Sequence, residues 1–302
     1  MIVPLIYRIF LRMAIWLRIY LFFSRNPKIT FAQSNDTVKS GAETLCVFAS
    51  YSSTTNVSSY IFNYLEKLAE SGVDIVFIST AASIGEDSLG KLKLFCTHIC
   101  TRKNAGLDFG SWKAGLLYSG VEWQKYKKIL FANDSCYAPL YPMTKILQQD
   151  GHGVVSITDS LEQEPHLMSY FLLCYQDVIR HPDFLKFWQN VHMVPTRLKG
   201  LIVRLYEIGF SRYFRKCGFS LKAAYPITDI GRELGMTETE LKNINPTHHL
   251  WRYLIETKKC PVLKVDIFKR YLKPNKDSTW REVVAASNYN MNLIIEHQGL
   301  KE

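Results

Sequence analysis

A chain of 302 residues with 47% hydrophobic content carries enough apolar side chains for one sizeable α/β domain, which excludes a disordered chain or a small cross-linked module. Its formal net charge of +10 calls for an anionic partner, whether nucleic acid, an acidic lipid surface or a phosphorylated substrate, without choosing among them. Seven cysteines, scattered and without CxxC spacing, argue against a zinc module or a disulfide framework and fit reduced thiols in a cytoplasm.

Residues 1–25, MIVPLIYRIFLRMAIWLRIYLFFSR, are apolar and aromatic, but Arg8, Arg12 and Arg18 interrupt every run before the roughly 20 residues that a membrane span needs. On a helix these arginines and Arg25 share roughly 140° of arc, with Leu5, Ile6, Ile9, Trp16, Tyr20 and Phe23 mostly elsewhere. That is the pattern of an amphipathic helix lying on a membrane surface, and it also suits a helix packed on its own domain. A secretory leader is disfavoured by the short apolar segments and the lack of a small-residue cleavage site. Residues 26–43, with Pro27, Gly41 and many polar side chains, read as a linker.

The main domain is expected to open with a buried strand at 44–50, TLCVFAS, a helix over 54–71 that aligns Ile61, Leu65 and Leu68, and a second strand at 73–79. Further strands are expected at 94–100, 128–132 and 154–158, with a helix over 111–118. Strands alternating with helices predict an α/β fold around a mostly parallel central sheet flanked by helices. After residue 160 the period turns helical over 182–191, 196–217 and 249–258, apart from an apolar aromatic strand across 168–175. Residues 44–160 are therefore read as a nucleotide-binding half, and 161–302 as an acceptor-side half ending in helices.

Two polar loops carry the chemistry. In Asn104-Ala-Gly106-Leu-Asp108-Phe-Gly110, the glycines permit positive φ or a close approach of ligand to backbone, and Ser111 stands ready to cap a helix whose free N–H groups face an anion. The apolar strand Ile129-Leu-Phe-Ala132 then breaks into Asn133-Asp134-Ser135, as expected where a sheet delivers binding groups at its carboxyl edge. Such a pair suits a nucleotide-sugar, with Asn104, Gly106, Asp108 and Gly110 on the nucleoside side. Asn133, Asp134 and Ser135 then face the diphosphate and sugar, directly or through a divalent ion.

Taken together, Arg102-x-Asn104-x-Gly106-x-Asp108-Phe-Gly110-x-x-Lys113, Ile129-Leu-Phe-x-Asn133-Asp134-Ser135-x-x-x-Pro139, His166-x-x-Ser169-Tyr170-Phe171, Phe187-Trp188, and His249-x-Trp251 with Pro261 resemble the rhamnan synthesis protein F family. The resemblance implies a GT-A-like glycosyltransferase that uses a nucleotide-sugar such as dTDP-rhamnose. The acceptor it implies is a growing bacterial surface polysaccharide or lipopolysaccharide precursor, often a lipid-linked oligosaccharide. The broader pattern has Asp-x-Asp where this chain offers Asn133-Asp134-Ser135, so Asp134 alone is left to hold Mg²⁺ or Mn²⁺. Arg102, Lys103 and Lys113 are the nearest basic residues that could neutralise the leaving group instead.

An inverting transfer needs a base for the acceptor hydroxyl. Asp159, at the end of the 154–158 strand, is the first candidate, with Glu162, Glu164 and His166 as alternatives. His166, Ser169, Tyr170, His249 and Trp251 are candidates to bind sugar, with Trp188 and Tyr253 as further aromatic platforms. The segment ITDIGRELGMTETEL at 227–241 has the look of a helix-turn-helix, but Glu238 and Glu240 stand where a DNA reader needs donors and lysines, so no nucleic acid partner is expected. A second basic cluster, Arg197, Lys199, Arg204, Arg212, Arg215 and Lys216, joins the N-terminal helix in suggesting an anionic membrane surface and a peripheral location at the cytoplasmic face. The rival readings are a nucleotide- or phosphate-binding transferase of another class and an inactive sugar-binding scaffold.

Overall fold

The computed structural model describes residues 19, 21–38, 41–270, 272 and 279–300. The strands, in chain order, are β1 (Ile29–Ser34), β2 (Thr44–Ser50), β3 (Val73–Ser79), β4 (Cys96–Arg102), β5 (Lys128–Asn133), β6 (Cys136–Tyr137), β7 (Val154–Ser160), β8 (His166–Leu167), β9 (Phe171–Cys174), β10 (Leu221–Tyr225) and β11 (Leu263–Lys264). In β2, β3 and β5 each position is buried, which is what a strand covered on both faces demands and why these runs are apolar without alternation. Their side chains still divide by parity: Cys46 and Phe48 enter one core, Leu45, Val47 and Ala49 the other.

The main sheet runs β1-β4-β3-β2-β5-β9-β7-β10, with β8 paired to β7. Strands β4, β3, β2, β5, β7 and β10 point one way, while β1, β8 and β9 run against them. From β2 the chain steps outward to β3 and β4, then returns to place β5 on the other side of β2. The gap between the ends of β2 and β5 is thus a topological switch point, the place where open α/β sheets bind ligands.

One face carries the Ser59–Glu70 helix, whose Tyr60, Ile61, Tyr64, Leu65 and Leu68 are buried, together with the C-terminal helices Trp251–Glu256, Thr279–Ala285 and Asn292–Gln298. The other face carries the Leu107–Tyr118 helix beneath a second helical layer drawn from 182–216. Because it lies between sheet and helices, the 107–118 helix is buried continuously from Phe109 to Leu116. At Gly115 it comes so near the sheet that a Cβ would lie 2.4 Å from Val47. Trp112 Nε1–H donates to Ala132 O at 2.9 Å, and Phe109, Phe131, Phe184, Trp188 and Phe210 continue an aromatic stack outward.

Several expectations are corrected. The stretch 26–43 is not wholly linker, since β1 lies within it and pairs antiparallel with β4. The first helix starts at Ser59, because Ser52, Thr54 and Asn56 hydrogen-bond among themselves in a turn that competes with helix. The strand expected over 168–175 is only Phe171–Cys174. The helix expected over 196–217 is broken into 3-10, α, π and α segments, the π turn spanning Val203–Glu207. The 227–241 segment is a helix pair, its second member opened by a Thr237/Glu240 capping box. Of the amphipathic helix expected at the N-terminus, only 19 and 21–25 fall among the described residues.

Candidate active site

β5 delivers Asn133 to the carboxyl edge of the sheet, and the Asp134 N–H extends the ladder by donating to Ala49 O of β2 at 3.1 Å. Across the switch point, Asp134 Oδ2 accepts from Ser50 Oγ at 2.9 Å and from the Tyr51 N–H at 2.7 Å. Tyr60 donates its hydroxyl to Asp134 O at 2.8 Å, which fixes the Ser59–Glu70 helix to the same point. Burial drives the Asp134 carboxyl up to about 7; the bonds from Tyr51 and Ser50 work against that rise and the nearby Asp108 adds to it.

Asp108, in the first turn of the 107–118 helix, receives the Asn133 Nδ2–H at 2.8 Å. Its carboxyl is also raised, chiefly by burial, with Lys264 and the Asn133 bond opposing and Glu207 adding to it. Asn133 Oδ1 in turn accepts from the Ser135 N–H and hydroxyl. Lys264, brought in by β11 pairing with β6, donates to Ser135 Oγ at 2.7 Å and lies 4.7 Å from the centre of the Tyr170 ring. Asp108, Asn133, Asp134, Ser135 and Lys264 are thereby gathered from three separate stretches of chain, with two carboxyls and one ammonium at the opening between β2 and β5.

The Asn104–Gly110 loop is built around an internal cation. Arg102 is 1% exposed; its Nε donates to Ser111 Oγ, Nη1 to Lys103 O and Ala105 O, and Nη2 to Leu107 O, at 2.7 to 3.0 Å. Burial lowers its pKa to about 10. Gly106 takes φ 73° as the helix N-cap, and Leu107 follows at φ 48°, a conformation costly for a side chain with a Cβ. Gly110 serves the loop's own packing, for a Cβ there would sit 2.3 Å from Ala105 O. The helix therefore begins at Leu107, and Ser111, expected as its cap, lies inside it as the partner of Arg102.

This frame relocates several expected groups. Lys113 is 1% exposed and donates to Gln189 O and Val191 O at 2.9 and 2.7 Å. Its ammonium is thus spent on a turn of the helical layer, and burial lowers its pKa to about 8. Neither Arg102 nor Lys113 joins the cluster at the end of β5; Lys264 does. Asn104 and Lys103 are exposed on the loop.

Asp159 is at the same sheet edge on β7, where its Oδ1 accepts from the Ile227 N–H at 2.7 Å. Its carboxyl is raised by burial, and the charges it feels are those of His166 and Asp229. His166 is buried with Nδ1 at 2.7 Å from Glu164 O, and Glu164 is held by Arg212 in two bonds. Tyr170 is 3% exposed and its hydroxyl meets Thr158 Oγ1 at 2.8 Å. Its ring lies under Lys264. His249 is exposed and its Nδ1 closes the Asn245 turn at 3.0 Å. Trp251 is half-buried against the core, and Trp188 is fully buried within it.

Lys264, Ser50, Tyr51 and Glu207 were not marked by the sequence patterns. Ser50-Tyr51 had a usable signal, since the apolar run of β2 breaks into polar residues just as β5 does. Glu207 had another, being the lone carboxylate between Asp183 and Asp229. Lys264 had none. Among the described residues no three His, Cys, Asp or Glu side chains converge as a metal centre would require. A cavity of about 390 Å³ runs along the Ser59–Glu70 helix past Asn63, Tyr141 and Tyr289 and includes none of these edge residues.

The family described as Rhamnan synthesis protein F matches residues 75–300. Among curated proteins, the chain is 25% identical over 193 residues to an uncharacterized protein, y4gN, of Sinorhizobium fredii, covering 62% of this chain and 49% of that protein. It is 23% identical over 194 residues to virulence protein VirA of Vibrio anguillarum, covering 58% and 63%. The chain thus spans about half to under two thirds of these relatives. Among solved structures, galactosyltransferase LgtC with donor and acceptor sugar analogues aligns at 12% identity over 82% of this chain and 97% of its own, with a TM-score of 0.37. The apo-form glycosyltransferase GlyE of Streptococcus pneumoniae TIGR4 aligns at 12% identity over 86% and 63%, with a TM-score of 0.39.

Proposed function

The chain belongs to the rhamnan synthesis protein F family, and from that premise and the edge cluster we propose that it is a GT-A-type glycosyltransferase of bacterial surface polysaccharide synthesis. The donor is a nucleotide-sugar, with dTDP-rhamnose the first to test, and the acceptor is a glycan or lipid-linked oligosaccharide precursor. The observation that carries this reading is the meeting of Asp108, Asn133, Asp134, Ser135 and Lys264 at the switch point between β2 and β5.

In this reading the nucleoside lies against the 104–110 loop, and the diphosphate lies between Lys264 and the first turn of the 107–118 helix, whose leading amides have no intrahelical acceptor. Lys264 neutralises charge as the diphosphate leaves. Asp108 and Asp134 supply too few ligands for a closed metal site, but two carboxylates suit a Mg²⁺ or Mn²⁺ ion that the diphosphate helps to hold. Such an ion would screen the leaving diphosphate. Asp134 must be ionised to bind it, so association strengthens as pH rises through about 7.

Thermal-shift and calorimetric titrations with dTDP, UDP and GDP, with and without Mn²⁺, test this. Stabilisation by a nucleoside diphosphate, with a Mn²⁺-dependent gain greater at pH 8 than at pH 6, is expected. Stabilisation by nucleoside triphosphates alone would favour a transferase of another class. Binding without any donor turnover would favour the scaffold reading.

We propose further that the protein sits at the cytoplasmic face of an anionic membrane. Leu21 and Phe22 are 65% and 74% exposed. Their segment is tied to the domain by the Met193 N–H donating to Ser24 O at 2.7 Å and by Arg25 Nε meeting His192 Nε2 at 3.2 Å. Exposed Arg197, Leu198 and Lys199 follow a few residues after that tie, with Arg204 beyond. Among the described residues no helix is long and apolar enough to cross a membrane; the arginines that interrupt residues 1–25 suit a superficial contact. Binding to phosphatidylglycerol vesicles that weakens with salt, and falls in the Leu21→Ser/Phe22→Ser double variant, is expected. Equal binding to neutral vesicles would contradict it.

A further inference from the structure

Resting on the glycosyl-transfer reading, we infer that Glu207 is the base that takes the proton of the acceptor hydroxyl. Glu207 ends the π-helical turn Val203–Glu207, set between α-helical segments; π turns inside helices are rare and concentrate at functional sites. Its Oε1 accepts from both the N–H and the hydroxyl of Ser169, at 3.0 and 2.9 Å. Ser169 directly precedes Tyr170, whose ring centre lies 4.7 Å from Lys264 Nζ, and Lys264 in turn holds Ser135 of the donor cluster.

Glu207 is therefore clamped beside the donor cluster, and its charge is felt at Asp108. It is half-buried rather than sealed. Asp159, by contrast, is committed to the Ile227 N–H at the start of the Ile227–Glu233 helix. Glu164 is committed to Arg212.

In the step assigned, the acceptor oxygen forms a bond to the anomeric carbon. The bond from that carbon to the diphosphate oxygen breaks, with its electron pair leaving on the nucleoside diphosphate. The acceptor proton passes to the second carboxylate oxygen of Glu207 and is later lost to solvent.

Glu207→Gln separates chemistry from architecture, since the amide oxygen can still accept from Ser169. Release of nucleoside diphosphate from a panel of dTDP-, UDP- and GDP-sugars, with water or glycan as acceptor, is expected to slow by roughly 10²- to 10⁴-fold, with nucleotide affinity and Tm unchanged. Turnover within about threefold of the native protein would overturn the assignment while leaving the glycosyl-transfer reading intact. No donor turnover in the native protein would sink both. Should Glu207→Gln fail to fold, Ser169→Ala, which keeps the carboxylate and its bond from the backbone N–H but removes the hydroxyl bond, is expected to lose roughly tenfold to a hundredfold in turnover at unchanged nucleotide affinity; native turnover would again overturn the proposal.

Discussion

Asp134→Asn is expected to lower donor turnover by roughly 10²- to 10³-fold without unfolding the protein. The amide oxygen can still receive the Tyr51 N–H and the Ser50 hydroxyl, so the architecture at the end of β2 is kept. The charge proposed to attract a diphosphate-bound cation is lost. The pH dependence of stability supplies a second, independent reading. Burial raises the Asp134 carboxyl from its ordinary 3.8 to about 7, so between those values the folded state holds a proton that the unfolded chain has released. The linkage sign is then fixed: the contribution of this group is fully favourable below about pH 4, declines as pH rises to about 7, and is level above. The Asn variant lacks that decline. Its Tm relative to the native protein should therefore improve steadily from pH 4 to pH 7, and a difference independent of pH would contradict the raised carboxyl.

Arg102→Met is expected to destabilise the fold by about 3–5 kcal/mol, because several buried acceptors lose a charge-assisted donor at once. Methionine fills much of the volume but offers no donor, so the carbonyls of Lys103, Ala105 and Leu107 and the Ser111 hydroxyl lose the fork that holds the 103–107 turn. Leu107 is kept at φ 48° only by that over-determined surrounding. Arg102→Lys should recover part of the loss, since an ammonium has three donors but not the planar fork. Denaturant unfolding checks this. A midpoint unchanged in Arg102→Met would mean that the loop is organised by something other than the guanidinium.

Much of this fold can be read from the residues. β2 and β3 have the limits that their apolar runs predict, because a parallel strand covered on both faces is apolar over most of its length, the buried Asp74 of β3 being met by the Tyr126 hydroxyl. The same logic made Asn133-Asp134-Ser135 legible as a sheet-edge motif. β1 was not legible, because an exposed edge strand has no buried face to imprint a pattern, and ITFAQS is held through its ladder to β4 and the Thr30–Thr101 contact.

Lys113 shows a different limit. Its spacing from Asp108 is five residues, about 140° around a helix, so once the helix starts at Leu107 the carboxylate meets Asn133 at the sheet edge and the lysine faces the layer behind. Reading Ser111 as the cap placed that turn wrongly. Lys264 and Glu207 are placed only by tertiary pairings, of β11 with β6 and of Ser169 with the π turn, and local sequence does not encode those.

The most direct measurement is a crystal structure of the protein grown with a nucleoside diphosphate and Mn²⁺. Diphosphate density is expected between Lys264 and the start of the 107–118 helix, with the ion contacting Asp134 or Asp108. A nucleotide seated elsewhere, with the Asp108–Asn133 and Ser135–Lys264 bonds intact and solvent alone above them, would contradict it.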